Sequence, residues 1–116
     1  MALRGWHMLR EEGALTMARH LPVRFDLCAS AAFPPARKGR LALQIRQDLW
    51  RMLQDLRGFS PVIRVEEEGQ GLRVSAGGRA AAPFPRLDCE ARIGALLTSP
   101  VHRSRWLARA RIEGLA

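Results

Sequence analysis

Between residues 36 and 57 apolar side chains recur at helical spacing, and this stretch limits the fold more than any other. At about 100° per residue, Leu41, Ile45, Leu49, Met52, Leu53 and Leu56 fall within a sector of about 120° on a helical wheel. A stripe of that width needs an apolar surface to cover it. Gly58 then stands where a helix closes with a left-handed cap.

The covering surface is expected to be a sheet. In "VRFDLCASAAF" (23–33), Val23, Phe25, Leu27, Ala29 and Ala31 share one face, while Arg24, Asp26, Cys28 and Ser30 share the other. This alternation is that of a half-buried strand, and Pro34–Pro35 end it because proline has no amide to donate. Downstream, 62–67 and 72–76 alternate on either side of "EGQG" and read as a hairpin. Pairing Glu67 with Leu72 sets Val65 against Val74 and Ile63 against Ala76 on one face. It sets Glu66 against Arg73 on the other, a favourable cross-strand pair. "AGGRAAAPFP" (76–85) reads as a flexible connector, followed by a helix with Cys89, Ile93, Leu96 and Leu97 on one side. Ser99–Pro100 is a good start for a last helix, carrying Trp106, Leu107 and Ala110 near one face.

The order is therefore β–α–β–β–α–α. The expected fold is α+β in two layers, with a three-stranded sheet packed on one face by helices. If the first two strands are parallel neighbours they form a right-handed βαβ unit, and the topology is a truncated ferredoxin-like arrangement. Residues 1–21 are read as an N-terminal arm, with Leu3, Trp6, Met8 and Leu9 on one side of a short helix ended by Gly13, and 22–116 as a single domain.

At 116 residues the chain can bury a core without disulfides or metal. Cys28 and Cys89 form no CxxC pair; free packed thiols are expected, with a bridge between them as the alternative. No run approaches the roughly 18 apolar residues of a membrane span, and Glu11 and Glu12 break the N-terminus as a leader. The expectation is a cytoplasmic protein with no membrane partner.

Catalysis has little support. His7, His20 and His102 lack Cys, Asp or Glu at zinc-ligand spacing, and no Walker, GxSxG or GxGxxG motif is present. The carboxylates of "EEE" (66–68) lead into a hairpin tip, and Asp48 and Asp55 have Arg51 within helical reach. No enzyme, cofactor or metal is expected.

Binding is better supported. The net charge is +8 and the pI about 11.5, which favours an acidic partner. All but one of the 19 basic residues are Arg (Lys38 is the exception), a bias that a GC-rich genome imposes on any protein, so the charge alone is a weak sign. Three features localise the expectation. Leu43, Arg46, Gln47, Trp50, Gln54 and Arg57 lie opposite the leucine stripe, and Trp with Arg is the composition of binding hot spots. Either the arm or the last helix covers Trp50, or another molecule does. Arg37, Lys38 and Arg40 cluster at the helix start, where free amides favour anions. In the last helix Arg103 and Arg105 could grip phosphates and Trp106 could stack a base, although a buried Trp106 would be a core anchor. The leading expectation is a non-catalytic basic domain that contacts nucleic acid through Arg–phosphate bonds, or an acidic protein. The alternative is an assembly module that homodimerises or docks a partner through the Trp50 face.

Overall fold

A computed structural model describes residues 5–112. Its elements are β1 (His7–Glu11), β2 (Ala14–Ala18), β3 (Leu27–Phe33), α1 (Lys38–Leu53), β4 (Ser60–Glu68), β5 (Gly71–Arg79), α2 (Arg86–Leu97) and α3 (Pro100–Arg109). The strands form one five-stranded sheet in the order β1-β2-β4-β5-β3, with every neighbouring pair antiparallel. The chain is thus α+β with helices on a sheet, and the expected three-stranded sheet is corrected to five. Strands β3 and β4 are not adjacent, because β5 lies between them, so the expected neighbouring βαβ pair does not form.

Register explains why one face is buried. Met17, Ile63, Ala76 and Ala29 lie opposite one another across four strands, and Leu15, Val65, Val74 and Ala31 form the next row. Residues directly opposite share a face, and these rows meet the helices. From α1, Leu41, Ile45, Leu49 and Leu53 are buried, while Met52 at the stripe's edge is only partly covered. Helix α1 packs on β2, β4 and β5, α2 lies on β3 and β5, and α3 packs against both helices. Trp106, fully buried, tilts against Phe33 with ring centroids 6.3 Å apart. The reverse face carries the row Thr16, Arg64, Ser75 and Ser30. This is the apolar-in, polar-out alternation of a sheet covered on one side. The hairpin register inferred from sequence holds at every pair, from Ile63↔Ala76 to Glu67↔Leu72.

Residues 23–26, read as the start of a strand, lie before β3, which begins at Leu27, and two further segments differ from their sequence reading. Residues 7–18 are a hairpin rather than an arm or helix, turned by Glu12–Gly13 with Gly13 at φ +73. β2 shows no alternation because all five residues are buried: its small outer-face residues shelter beside Arg64, which donates to Thr16 Oγ1 at 3.0 Å. The pairing with β4, not local pattern, makes these residues strands. Leu3, part of the expected helical face, lies outside the described residues. The second difference is "AGGRAAAPFP" (76–85), read as a connector. Its first four residues complete β5 between β3 and β4. Gly78 sits at φ +141, and a Cβ on Gly77 would stand 2.0 Å from the Leu27 carbonyl oxygen. These glycines let three backbones approach. Both cysteines are free, Cys89 in the core and Cys28 half-buried.

Asp26 fastens the start of β3 to the end of β5. Its carboxylate accepts two bonds from Arg24 at 2.8 and 2.9 Å and one from the Ala80 amide at 3.0 Å. Arg24 first, then the Ala80 amide, hold its pKa below the usual carboxylate value.

Two stability predictions follow from these contacts. Gly77→Ala forces a methyl against the Leu27 carbonyl oxygen of the neighbouring strand β3 and is expected to cost about 3 kcal/mol, read as a lower urea midpoint with an unchanged slope. For Asp26 the folded pKa lies below the unfolded one. Its contribution is therefore complete above about pH 4 and is lost as pH falls through the folded value. Asp26→Asn should be less stable than wild type by roughly 1 kcal/mol at neutral pH, with the gap closing in acid titrations of the urea midpoint.

Candidate functional site

The main cleft opens where the end of α1 meets the two sheet strands nearest it. It holds about 410 Å³ and is lined by Trp6, Arg19, His20, Arg46, Trp50, Phe59, Ser60 and Pro61. Arg46 and Trp50 are one helical turn apart on α1, so they project from the same flank. Gly58, at φ +70, turns the chain after α1 and delivers Phe59 beneath Trp50. The two rings are within 8° of parallel, with centroids 6.2 Å apart. Phe59 is buried, whereas Trp50 stays 42% exposed. Neither the N-terminal hairpin nor α3 covers it.

Trp6, just before β1, closes the other side. The Arg46 guanidinium lies 4.8 Å from its ring centroid, within cation–π range, and that of Arg19 lies 6.0 Å away. His20 Nδ1 and Ser60 Oγ share a hydrogen bond of 3.0 Å at the rim. Among the described residues neither Arg19 nor Arg46 has a carboxylate partner. Arg46 Nε is buried and has no hydrogen-bond partner among those residues. Burial, and after it the Arg19 charge, lowers the Arg46 pKa, though a guanidinium stays protonated at neutral pH. The cleft therefore combines an exposed indole on a rigid aromatic base with two close, uncompensated cations. Two like charges held together attract an anion and disfavour a cationic ligand.

The flank continues along α1 towards its N-terminus. Gly39 lies on it, and a Cβ there would be 3.7 Å from Met8 Cε and 3.9 Å from an Arg10 guanidinium nitrogen. From Gly39 to Trp50 is about 17 Å at the helical rise. Arg10, Trp6, Arg46 and Arg19 border this length.

The residues expected from sequence are dispersed by the fold. Arg46 and Trp50 meet in the cleft. Leu43 is packed partly against the core, as is Trp6. Gln47 lines a separate polar groove with Gln44, Asp48, Arg51, Arg105 and Arg109. Gln54 is exposed and donates to the Arg51 carbonyl, and the Arg57 carbonyl accepts from the Ala81 amide. At the start of α1, Arg37 and Arg40 are exposed, while Lys38 is paired with Glu67 at 2.8 Å. In α3, Arg103 donates to the Leu97 and Ala32 carbonyls, 2.9 Å each, and lies over Phe33 at 3.9 Å. Arg105 bonds Asp48, and the buried Trp106 donates its indole N–H to the same carboxylate at 2.7 Å. In this structure Arg103 and Trp106 are engaged by the fold itself, and Trp106 has no surface on which to stack a base. The Ser99 hydroxyl caps α3 by accepting from the His102 amide.

Arg19, His20 and Phe59 are not among the site residues expected from the sequence, and Trp6 was expected only on one side of a short N-terminal helix. No periodic signal marks them, since they lie at strand ends and in a connector. Gly58–Phe59 was the one local cue, an aromatic immediately after a capping glycine. No protein-family model, curated protein or solved structure matches the chain.

Asp48 joins α3 to α1. Asp48→Ala leaves the buried indole N–H unpaired and should cost about 1–3 kcal/mol, measured by chemical denaturation. Gln47→Ala beside it, exposed and without a side-chain hydrogen bond among the described residues, should stay within about 0.5 kcal/mol of wild type.

Proposed function

We propose that this chain is a non-catalytic binding domain for single-stranded nucleic acid, with Trp50 stacking an unpaired base and Arg46 and Arg19 holding the adjoining phosphates. The single observation that carries this reading is the exposed Trp50 ring, backed by Phe59 and set beside two arginines that no described carboxylate neutralises. An aromatic platform next to cations is how sequence-tolerant single-strand binding works, since every base has a π face and every nucleotide a phosphate. Duplex bases are already stacked and leave no face for Trp50. Exposed Arg40 and Arg37 extend the positive charge beyond the cleft, adding phosphate contacts that carry little sequence information.

The distribution of ion pairs supports the same side of the molecule. On the open sheet face Arg64 is bonded to Glu11 and lies near Glu66, and Arg73 is bonded to Glu68. Those cations are already compensated, and that face offers no aromatic ring in its central row of Thr16, Arg64, Ser75 and Ser30.

An assembly module acting through the Trp50 face is the second reading, favoured by the same 42% exposure of a large apolar ring. The two part in one assay. Fluorescence anisotropy with a labelled single-stranded oligonucleotide should show binding that weakens steeply with salt and exceeds binding to the matched duplex. Trp50→Ala should weaken it by about 1–3 kcal/mol, and Arg46→Gln should lower the salt slope by about one phosphate contact. No binding at low salt, with self-association abolished by Trp50→Ala, would leave the assembly reading standing instead.

A further inference from the structure

The two edges of the sheet are treated differently. On β3 two backbone groups are capped by side chains of the helices: Glu90 accepts from the Cys28 amide at 2.9 Å, and Arg103 donates to the Ala32 carbonyl at 2.9 Å. Side chains placed in this way prevent another strand from adding there. At the opposite edge β1 bonds to β2 on one side only, and among the described residues nothing hydrogen-bonds to its outer side. The strand is neither bulged nor interrupted by proline, and it exposes Leu9 at 37%.

The sequence of β1 says what fits this edge. Under a two-fold antiparallel pairing centred on Leu9, His7 faces Glu11, Met8 faces Arg10 and Leu9 faces itself. No like charges are opposed, and the exposed leucines cover each other. Moving the centre towards the C-terminus to Arg10 would set two arginines against each other, which is destabilising. Moving it towards the N-terminus to Met8 would leave Glu11 beyond the partner strand. A one-residue slip would exchange the two sheet faces.

We propose that β1 pairs with β1 of a second copy of this chain, in the Leu9-centred register, joining two five-stranded sheets into one continuous sheet. The backbone supplies the bonds and the side-chain pattern selects the register, as in strand addition generally. The pairing uses no residue of the Trp50–Phe59 stack and does not depend on how the cleft is used.

Sedimentation velocity on the full chain over a concentration series tests this. Wild type should shift from monomer to dimer as concentration rises. Leu9→Lys places two cations at the two-fold centre, and His7→Glu opposes Glu11; each should weaken association by about tenfold or more. Both sites are exposed, so circular dichroism and melting should be unchanged. Leu9→Cys should form a covalent dimer in oxidised glutathione, because directly opposed strand positions fall within disulfide reach. Leu87→Cys, on α2 and more exposed than Leu9, should not. A wild type that stays monomeric throughout overturns the proposal. So does a dimer that survives Leu9→Lys and His7→Glu but is lost in Trp50→Ala, which would put the contact on the α1 flank.

Discussion

The seating of the α1 leucine stripe on the sheet is the interaction on which the other features of this protein depend. Leu41, Ile45, Leu49 and Leu53 are buried against rows built by Met17, Ile63, Val65, Val74 and Ala76. Apolar surface removed from water contributes about 25 cal/mol per Å², and all four side chains are almost completely removed. Once that face is down, the rotation of the helix is set. Asp48 turns towards α3 to receive Trp106 and Arg105, and Arg46 and Trp50 turn to the opposite flank. The anchor of the last helix and the candidate site are therefore two consequences of one burial.

Charge is handled unevenly over the surface. The chain carries a net charge of +8, yet on the open sheet face Arg64 and Arg73 are paired with Glu11, Glu66 and Glu68. Exposed pairs of this kind contribute little to stability. Their effect is to compensate the open sheet face and leave positive charge on the α1 flank. Arg46, half-buried beside Trp6 and close to the exposed Arg19, intensifies this, because its partial burial weakens the screening of the repulsion between them. An anion entering the cleft would relieve that repulsion, whereas at an ordinary solvated arginine it would gain little.

Elements with a strong binary pattern were legible in the sequence. The α1 stripe, the β4–β5 register, the buried side of α2 and the Ser99 cap each follow from spacing within one or two adjacent elements. The β1–β2 hairpin was not legible, because Ala14–Ala18 is buried on both faces and carries no alternation, and Trp6, Met8 and Leu9 mimic helical spacing. Nor was the end of β5. Gly77 and Gly78 have the composition of a linker, and only the close approach of Leu27 and Ser60 on either side makes them strand residues. Half of the site's chemistry, Arg46 and Trp50, was visible as a helix face, while Arg19, His20 and Phe59 were not.

What the sequence determined by itself was local: which residues form the main helix, which of its sides is buried, and how one hairpin pairs. Periodicity carries that information because burial repeats with the backbone's own geometry. Only the tertiary structure decided that the sheet has five strands, that β5 separates β3 from β4, and that Trp106 lies inside while Trp50 lies outside. It alone brought Trp6 and Arg19 across more than twenty residues of chain to Arg46. These outcomes depend on contacts between distant segments, and long-range pairing leaves no periodic trace in either partner alone.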